Sequence, residues 1–221
     1  MLLYDAPSPA PNPRRVRIFL AEKGLTLPMQ SMSVMAGDHK APDFIAKYPP
    51  GQLPVLELDD GMMLGESIAI CRYLDGLNPD PHLFGTTPRE AAEIDMWTRR
   101  VEFTLGAAVR QIWIHTHPLT ARVVKQQFTE FGESNHPLAD AALTMLDAAL
   151  AERPYLAGDR YSIADIALLT TVDFGAFIGL SMAEQFKGLP MDSLIGGPLT
   201  GERPHLAAWH ARVSARPSAA A

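Results

Sequence analysis

Gly51-Gln52-Leu53-Pro54-Val55-Leu56-Glu57-Leu58-Asp59-Asp60-Gly61-Met62-Met63-Leu64-Gly65-Glu66-Ser67 is the stretch on which the fold is decided. Residues 54–58 and 62–64 are short apolar-rich runs on either side of Asp59-Asp60-Gly61, and this predicts a hairpin with a glycine-containing turn. From Glu66 to Leu77 the pattern changes to helical, with Ile68, Cys71, Leu74 and Leu77 on one stripe. Upstream, Leu2 to Tyr4 is a short apolar run ending at turn formers, as a first strand does. A proline-rich loop, Pro7 to Pro13, follows it. Arg14 to Lys23 then carries Val16, Phe19, Leu20 and Lys23 at helical spacing and stops at Gly24. Leu27 to Val34 alternates in part and predicts a second strand. The order is β-α-β-x-β-β-α over residues 1–78.

Asn78-Pro79-Asp80-Pro81 opens a break in composition that extends to Thr87 and predicts a linker over 79–87. Beyond it the patterns are helical: Pro88 to about His115, Leu138 to Leu150, Ser162 to about Leu180, and Pro204 to Ala215. The third of these is mostly apolar and is expected to be buried. The expected architecture is an α/β domain, 1–78, followed by an all-α domain, 88–221.

Composition limits the function. Apolar residues make up 47% and charged ones 20%, an ordinary globular balance rather than a disordered one. A net charge of −6 argues against a nucleic-acid partner, which calls for a basic face. No apolar run approaches the roughly 18 residues of a membrane span. The first residues lack the basic start and apolar core of an export signal. Cys71 is the only cysteine, so an intramolecular disulfide is impossible. A cytoplasmic location is expected.

Five segments of this chain resemble the cytosolic glutathione transferases: PNPRRVRIFLAEKG, PPGQLPVLELDDG, ESIAICRYL, YLAGDRYSIADIALL and RPHLAAWHARVSARPS. They occur in that family's order along nearly the whole chain. The resemblance implies a thioredoxin-like first domain and a helical-bundle second domain. It also implies glutathione as co-substrate with no tightly bound cofactor, a small hydrophobic electrophile, and a homodimer.

The resemblance assigns glutathione contacts, and each also has a plainer reading. Pro54 matches a cis-proline, which would turn the backbone of Leu53 outward to pair with the tripeptide as an added strand does. Without the resemblance it reads rather as a trans-proline opening an edge strand. Glu66-Ser67 begins a helix, where free N–H groups and the positive dipole end attract a carboxylate. Ser67 would add a hydroxyl and Glu66 would hold the γ-glutamyl ammonium, although Ser and Glu at a helix start are commonly caps. His39 and Lys40 match the position that holds the glycyl carboxylate, or are solvated loop charges. Gln52 would donate to the tripeptide backbone or satisfy its own turn. Ser162-Ile163-Ala164-Asp165 has the spacing of a capping box, with a structural role.

The sulfur presents a different problem. Transfer needs a thiolate, and a free thiol with a pKa near 8.5 is mostly protonated at neutral pH. The family supplies a tyrosine late in the first strand, or a serine or cysteine in the next loop. Here Pro7 and Ala10 occupy those positions, and Tyr4 comes too early. The remaining candidate is Asn12, in Ala10-Pro11-Asn12-Pro13, which looks like a fungal and bacterial subgroup whose asparagine amide faces the sulfur. Asn12 before Pro13 is also a natural Asx-turn. Ser8 is a second candidate, and a water held by the second domain a third. The absence of Cys-x-x-Cys excludes dithiol exchange by the protein itself.

On the long helix Phe103, Gly106, Arg110, Trp113 and His117 fall near one stripe that would wall an electrophile pocket, or serve as core or dimer contact. His115 and His117 are candidates for holding an activating water, and their i,i+2 spacing is wrong for a metal pair. The expected function is conjugation of glutathione to electrophiles or its use to reduce peroxides or disulfides. A non-catalytic glutathione-binding module is the alternative that Ala10 raises. A related isomerase would need a Ser-Ser-Cys loop that is absent.

Overall fold

The structure is a computed structural model that describes residues 1–7, 9–185 and 203–221. The chain divides into two compact units, residues 1–84 with 216–221, and residues 85–215. Residues 216–221, read from sequence as the end of the helical domain, thus join the first unit. The expected linker is split between the two.

The first unit is built on β1 (Leu2–Asp5), α1 (Pro11–Glu22), β2 (Met29–Ser31), α2 (Pro42–Lys47), β3 (Val55–Glu57), β4 (Met63–Leu64) and α3 (Ser67–Leu77). Its sheet runs β2-β1-β3-β4. β1 is parallel to β2, with α1 as the crossover, and antiparallel to β3. This is the thioredoxin-like arrangement, with a small mixed sheet. The predicted second strand shortens to three exposed edge residues, because only this part pairs with β1. Leu3, Val55 and Leu56 in the sheet and Val16, Phe19 and Leu20 on α1 are buried. On α3 the buried face is Ser67, Ile70, Cys71 and Leu74. It is turned from the predicted stripe, and Leu77 is exposed.

Buried charges fasten the edges of this unit. Lys23 donates to the carbonyls of Asn78 (2.8 Å) and Pro79 (3.0 Å), and pairs with Asp75. It thereby satisfies carbonyls left open where α3 ends. Glu22 receives Arg216 through both oxygens, at 2.7 and 2.6 Å, which attaches 216–221 to the end of α1. Burial would raise the pKa of Glu22, but hydrogen bonds from Arg216 and Ser218 outweigh it and lower the pKa.

The second unit is helical: α4 (Pro88–Val101), a π-helical turn Glu102–Gly106, α5 (Ala107–Thr116), α6 (Thr129–Glu133), α7 (His136–Leu150), α8 (Ile163–Gln185) and α9 (Pro204–Ser214). α8 is buried from Ile163 to Val172, as its apolar sequence predicts. Asp165 organises this region. Its carboxylate accepts from Ser162 N (3.0 Å), Ser162 Oγ (3.1 Å), Leu156 N (2.8 Å) and Trp209 Nε1 (2.9 Å). Only half of the expected capping box forms, since the serine hydroxyl donates to Asp165 rather than receiving its N–H. Among the described residues no helix is long and apolar enough to cross a membrane.

Candidate functional site

The first turn of α3 presents backbone donors to solvent. Its first internal bond runs from Ile70 N to Glu66 O (2.9 Å), so the N–H groups of Ser67, Ile68 and Ala69 have no partner within the helix. Glu66 has φ 64°, and it is the one non-glycine residue with positive φ among the described residues. Such a backbone costs on the order of 1–3 kcal/mol and persists only where its surroundings impose it. The Glu66 side chain is exposed, while Ser67 is buried. Ser67 Oγ accepts from Arg15 Nη1 at 3.0 Å, which leaves the hydroxyl proton available for a ligand oxygen. Sequence reasoning missed Arg15. The available signal was its place among the buried Val16, Ile18 and Phe19 of α1, where a buried arginine needs a polar partner.

A second group of candidates meets around Gly51. The Leu53–Pro54 peptide is cis, as the resemblance implies. Leu53 stands just outside the β1–β3 register, which ends at Tyr4↔Val55. Gly51 has φ 53°, and a β-carbon there would lie 2.8 Å from His39 O and 3.1 Å from Lys40 Nζ. Only glycine lets the Asp38–Lys40 turn approach the Gln52 loop this closely. Lys40 Nζ also donates to Pro50 O at 3.3 Å. Gln52 is exposed and Leu53 half-buried. His39 is half-buried with an unpartnered Nδ1, and burial, then Lys40, lowers its pKa below the usual imidazole value.

The third group is the start of α1. The helix begins at Pro11, not near Arg14 as the spacing predicts, because proline is tolerated in a first turn. Asn12 is therefore inside the helix, and no side chain caps it. The Asn12 side chain is exposed. Pro11 and Pro13 carry no N–H, and Arg14 N already bonds to Ala10 O, so Asn12 supplies the one free backbone donor of this turn. Tyr4 is buried and donates to Glu57 Oε2 at 2.6 Å. Ser8 lies outside the described residues.

Family models described as the glutathione S-transferase N-terminal and C-terminal domains match residues 10–77 and 114–217. Glutathione S-transferase 2 of Saccharomyces cerevisiae is 37% identical over 99% of this chain and 87% of its own. The chain belongs to the glutathione S-transferase family. Its fold agrees with two solved relatives. One is a glutathione S-transferase domain-containing protein of Marinobacter aquaeolei, with TM-score 0.86 and 38% identity over 99% of both chains. The other is Gtt2 of Saccharomyces cerevisiae, with TM-score 0.84 and 37% identity over 99% of this chain and 98% of that one.

Within this family member the electrophile-pocket candidates lie in the second unit. Phe103 and Gly106 lie in the π-helical turn, and Arg110 and Trp113 in α5. Phe103 and Arg110 are exposed and Trp113 is half-buried. His117 is buried and packs against Trp113 at a tilt of 39°, with ring centroids 4.2 Å apart. His117 Nδ1 accepts from Leu119 N (3.2 Å), and His115 Nδ1 accepts from Phe128 N (3.3 Å). An imidazole bonded in this way carries its proton on Nε2 when neutral and donates there. Burial lowers the pKa of His117 and keeps it neutral. His115 meets the edges of Phe128 and Phe131 and forms a separate aromatic group.

Proposed function

We propose that this enzyme conjugates glutathione to small hydrophobic electrophiles. The γ-glutamyl group sits at Glu66 and Ser67, the tripeptide backbone at Gln52 and Leu53 beside cis-Pro54, and the glycyl carboxylate at His39 and Lys40. The observation that carries the reading is the first turn of α3. Its free N–H groups and the Ser67 hydroxyl suit a carboxylate, and the exposed Glu66 carboxylate suits the neighbouring ammonium. The Gly51 contact brings the Lys40 ammonium to the loop that leads into Gln52.

Asn12 is the thiol-activating group in this proposal. Its amide N–H and its backbone N–H, at the positive end of α1, stabilise the sulfur as an anion. The thiol proton leaves to solvent, the thiolate forms a bond to the electrophilic carbon, and the leaving group departs with its electron pair. Trp113, Arg110, His115 and His117 are the residues proposed to receive the electrophile. A donor Nε2–H on either histidine suits a bound water. The same reading gives a cytoplasmic homodimer with a role in detoxification.

Turnover of an aryl halide with glutathione tests the proposal. A product formed at a rate that saturates in glutathione is expected. Glutathione binding without conjugation would overturn the proposal and leave the binding module, and turnover of a peroxide alone would assign the reductive activity instead.

A further inference from the structure

Tyr48 stands where α2 ends, and it touches both segments assigned to the glutathione peptide. Its N–H bonds to Phe44 O (2.8 Å), while its carbonyl accepts from Gly51 N at 2.9 Å and so closes the turn leading into Gln52-Leu53-Pro54. Its ring lies edge-on to Phe44, with centroids 6.4 Å apart, beside the buried Tyr4, Met32 and Val55. From there the phenol reaches Gly65. A β-carbon on Gly65 would overlap the Tyr48 hydroxyl and lie 2.8 Å from Cζ. Glu66 follows at once, and it is the residue held at φ 64°. A tyrosine that merely filled the core would be indifferent to the backbone at 65–66, whereas this one occupies the space a side chain at 65 would need.

We infer that Tyr48 is a positioning residue for glutathione, wedged against Gly65 so that Glu66 keeps its positive-φ backbone and faces the γ-glutamyl group. The mechanism is steric. With the phenol in place the 65–66 backbone has no room to relax toward an ordinary φ, and the strain at Glu66 is sustained by packing. The backbone carbonyl of Tyr48 sets the Gln52 loop at the same time, so one residue keeps the two halves of the peptide site in register. Burial, then the nearby Glu66 charge, raises the phenol pKa, and the ring stays neutral beside the carboxylate. The inference rests on the reading that glutathione binds at Glu66 and Ser67.

The test is calorimetric titration of glutathione into Tyr48→Ala, Gly65→Ala, the double variant, Tyr48→Phe and Glu66→Gln, together with ultraviolet titration of the bound thiol. Tyr48→Ala and Gly65→Ala are each expected to weaken glutathione about tenfold. The double variant is expected to be no weaker than the worse single one, because residues in contact are not additive and the added methyl then meets no phenol. The bound-thiol pKa is expected to stay unchanged, since the sulfur belongs to the central cysteine and its proposed donors at Asn12 are untouched by these substitutions. A purely structural role would instead reduce the number of binding sites at an unchanged Kd. Additive losses in the double variant would overturn the inference. Should Gly65→Ala not fold, Tyr48→Phe decides: about a threefold weakening is expected, and an unchanged Kd overturns it. Glu66→Gln separates the two levels. If it leaves Kd unchanged, the glutathione reading itself fails; if it weakens binding while the Tyr48 and Gly65 variants do not, only this inference fails.

Discussion

The first turns of α1 and α3 are both helix N-termini in the same unit, yet they are built to different specifications. α3 opens with Ser67-Ile68-Ala69 and leaves three backbone N–H groups without a partner inside the helix, so the anion site proposed there is made mainly of backbone. α1 opens with Pro11-Asn12-Pro13, and its two prolines remove two of the three donors. The macrodipole is comparable, but the donors through which a ligand feels it are not. A carboxylate is a permanent anion and gains from a ready set of N–H groups. A thiol must be ionised, and at α1 a single residue supplies both remaining donors. Arg15 joins the turns, since it rises from α1 and donates to Ser67 of α3. In the proposed reading, binding is thus distributed over several groups while activation is concentrated in Asn12.

The largest expected effect is at α3. Glu66→Gln removes the charge proposed to face the ammonium while keeping the side-chain shape. Hydrogen bonds to charged groups contribute about 1.5–3 kcal/mol, which is roughly 10- to 100-fold in glutathione Kd. Ser67→Ala removes the hydroxyl that accepts from Arg15 and is expected to fall in the same range. Titration calorimetry reads both. Equal Kd values for wild type and both variants would remove α3 from the site and end the comparison.

Asn12→Ala is the corresponding test at α1, and it should act on a different observable. Loss of the amide donor is expected to raise the pKa of the bound thiol by about one unit, or about 1.4 kcal/mol, with little change in Kd. Thiolate absorbance against pH measures it. An unchanged titration curve would transfer the activating role to a water or to Ser8.

How far these turns were legible in the sequence follows from what each depends on. The strands, the hairpin, α1 and α3 have local periodicity, and the five resembling segments gave the architecture before any coordinate. The start of α1 was misplaced because Pro11 reads as loop, although its missing N–H costs nothing in a first turn. α2 was missed because Pro42–Lys47 is a six-residue helix with one buried residue, Phe44, too short for a periodic signal. The π-helical turn at Glu102–Gly106 leaves no trace in composition or spacing. Arg15 and Tyr48 were invisible for another reason. Each acts on a residue far away in sequence, Ser67 and Gly65, and only the packing of α1 and α2 brings them there.

A smaller effect is expected from pH at the opposite arm. Burial and Lys40 hold the His39 pKa low, so the imidazole is neutral at pH 7. A glycyl carboxylate favours the imidazolium, so the complex binds a proton more readily than the free protein does. Affinity should therefore rise as pH falls below the ordinary imidazole range, by about threefold between about pH 7 and 5.5. His39→Gln should flatten this dependence, and a pH profile that is the same in the variant would detach His39 from the ligand.

The finest test restores to α1 what α3 already has. Pro13→Ala returns an N–H to the third position of the helix, one residue from Asn12. If the helix end acts on the sulfur through its free donors, the new one should add a share of the typical 0.3–1 kcal/mol effect and lower the bound-thiol pKa by about 0.2–0.7 units. The substitution also loosens the unfolded chain and should cost about 0.4–1 kcal/mol of stability, visible in thermal melts and separable from the titration. A fall in pKa would mean that the prolines hold the thiol less acidic than the fold allows. No change would mean that the sulfur senses the Asn12 side chain alone, and that the two helix ends differ in kind as well as in number of donors.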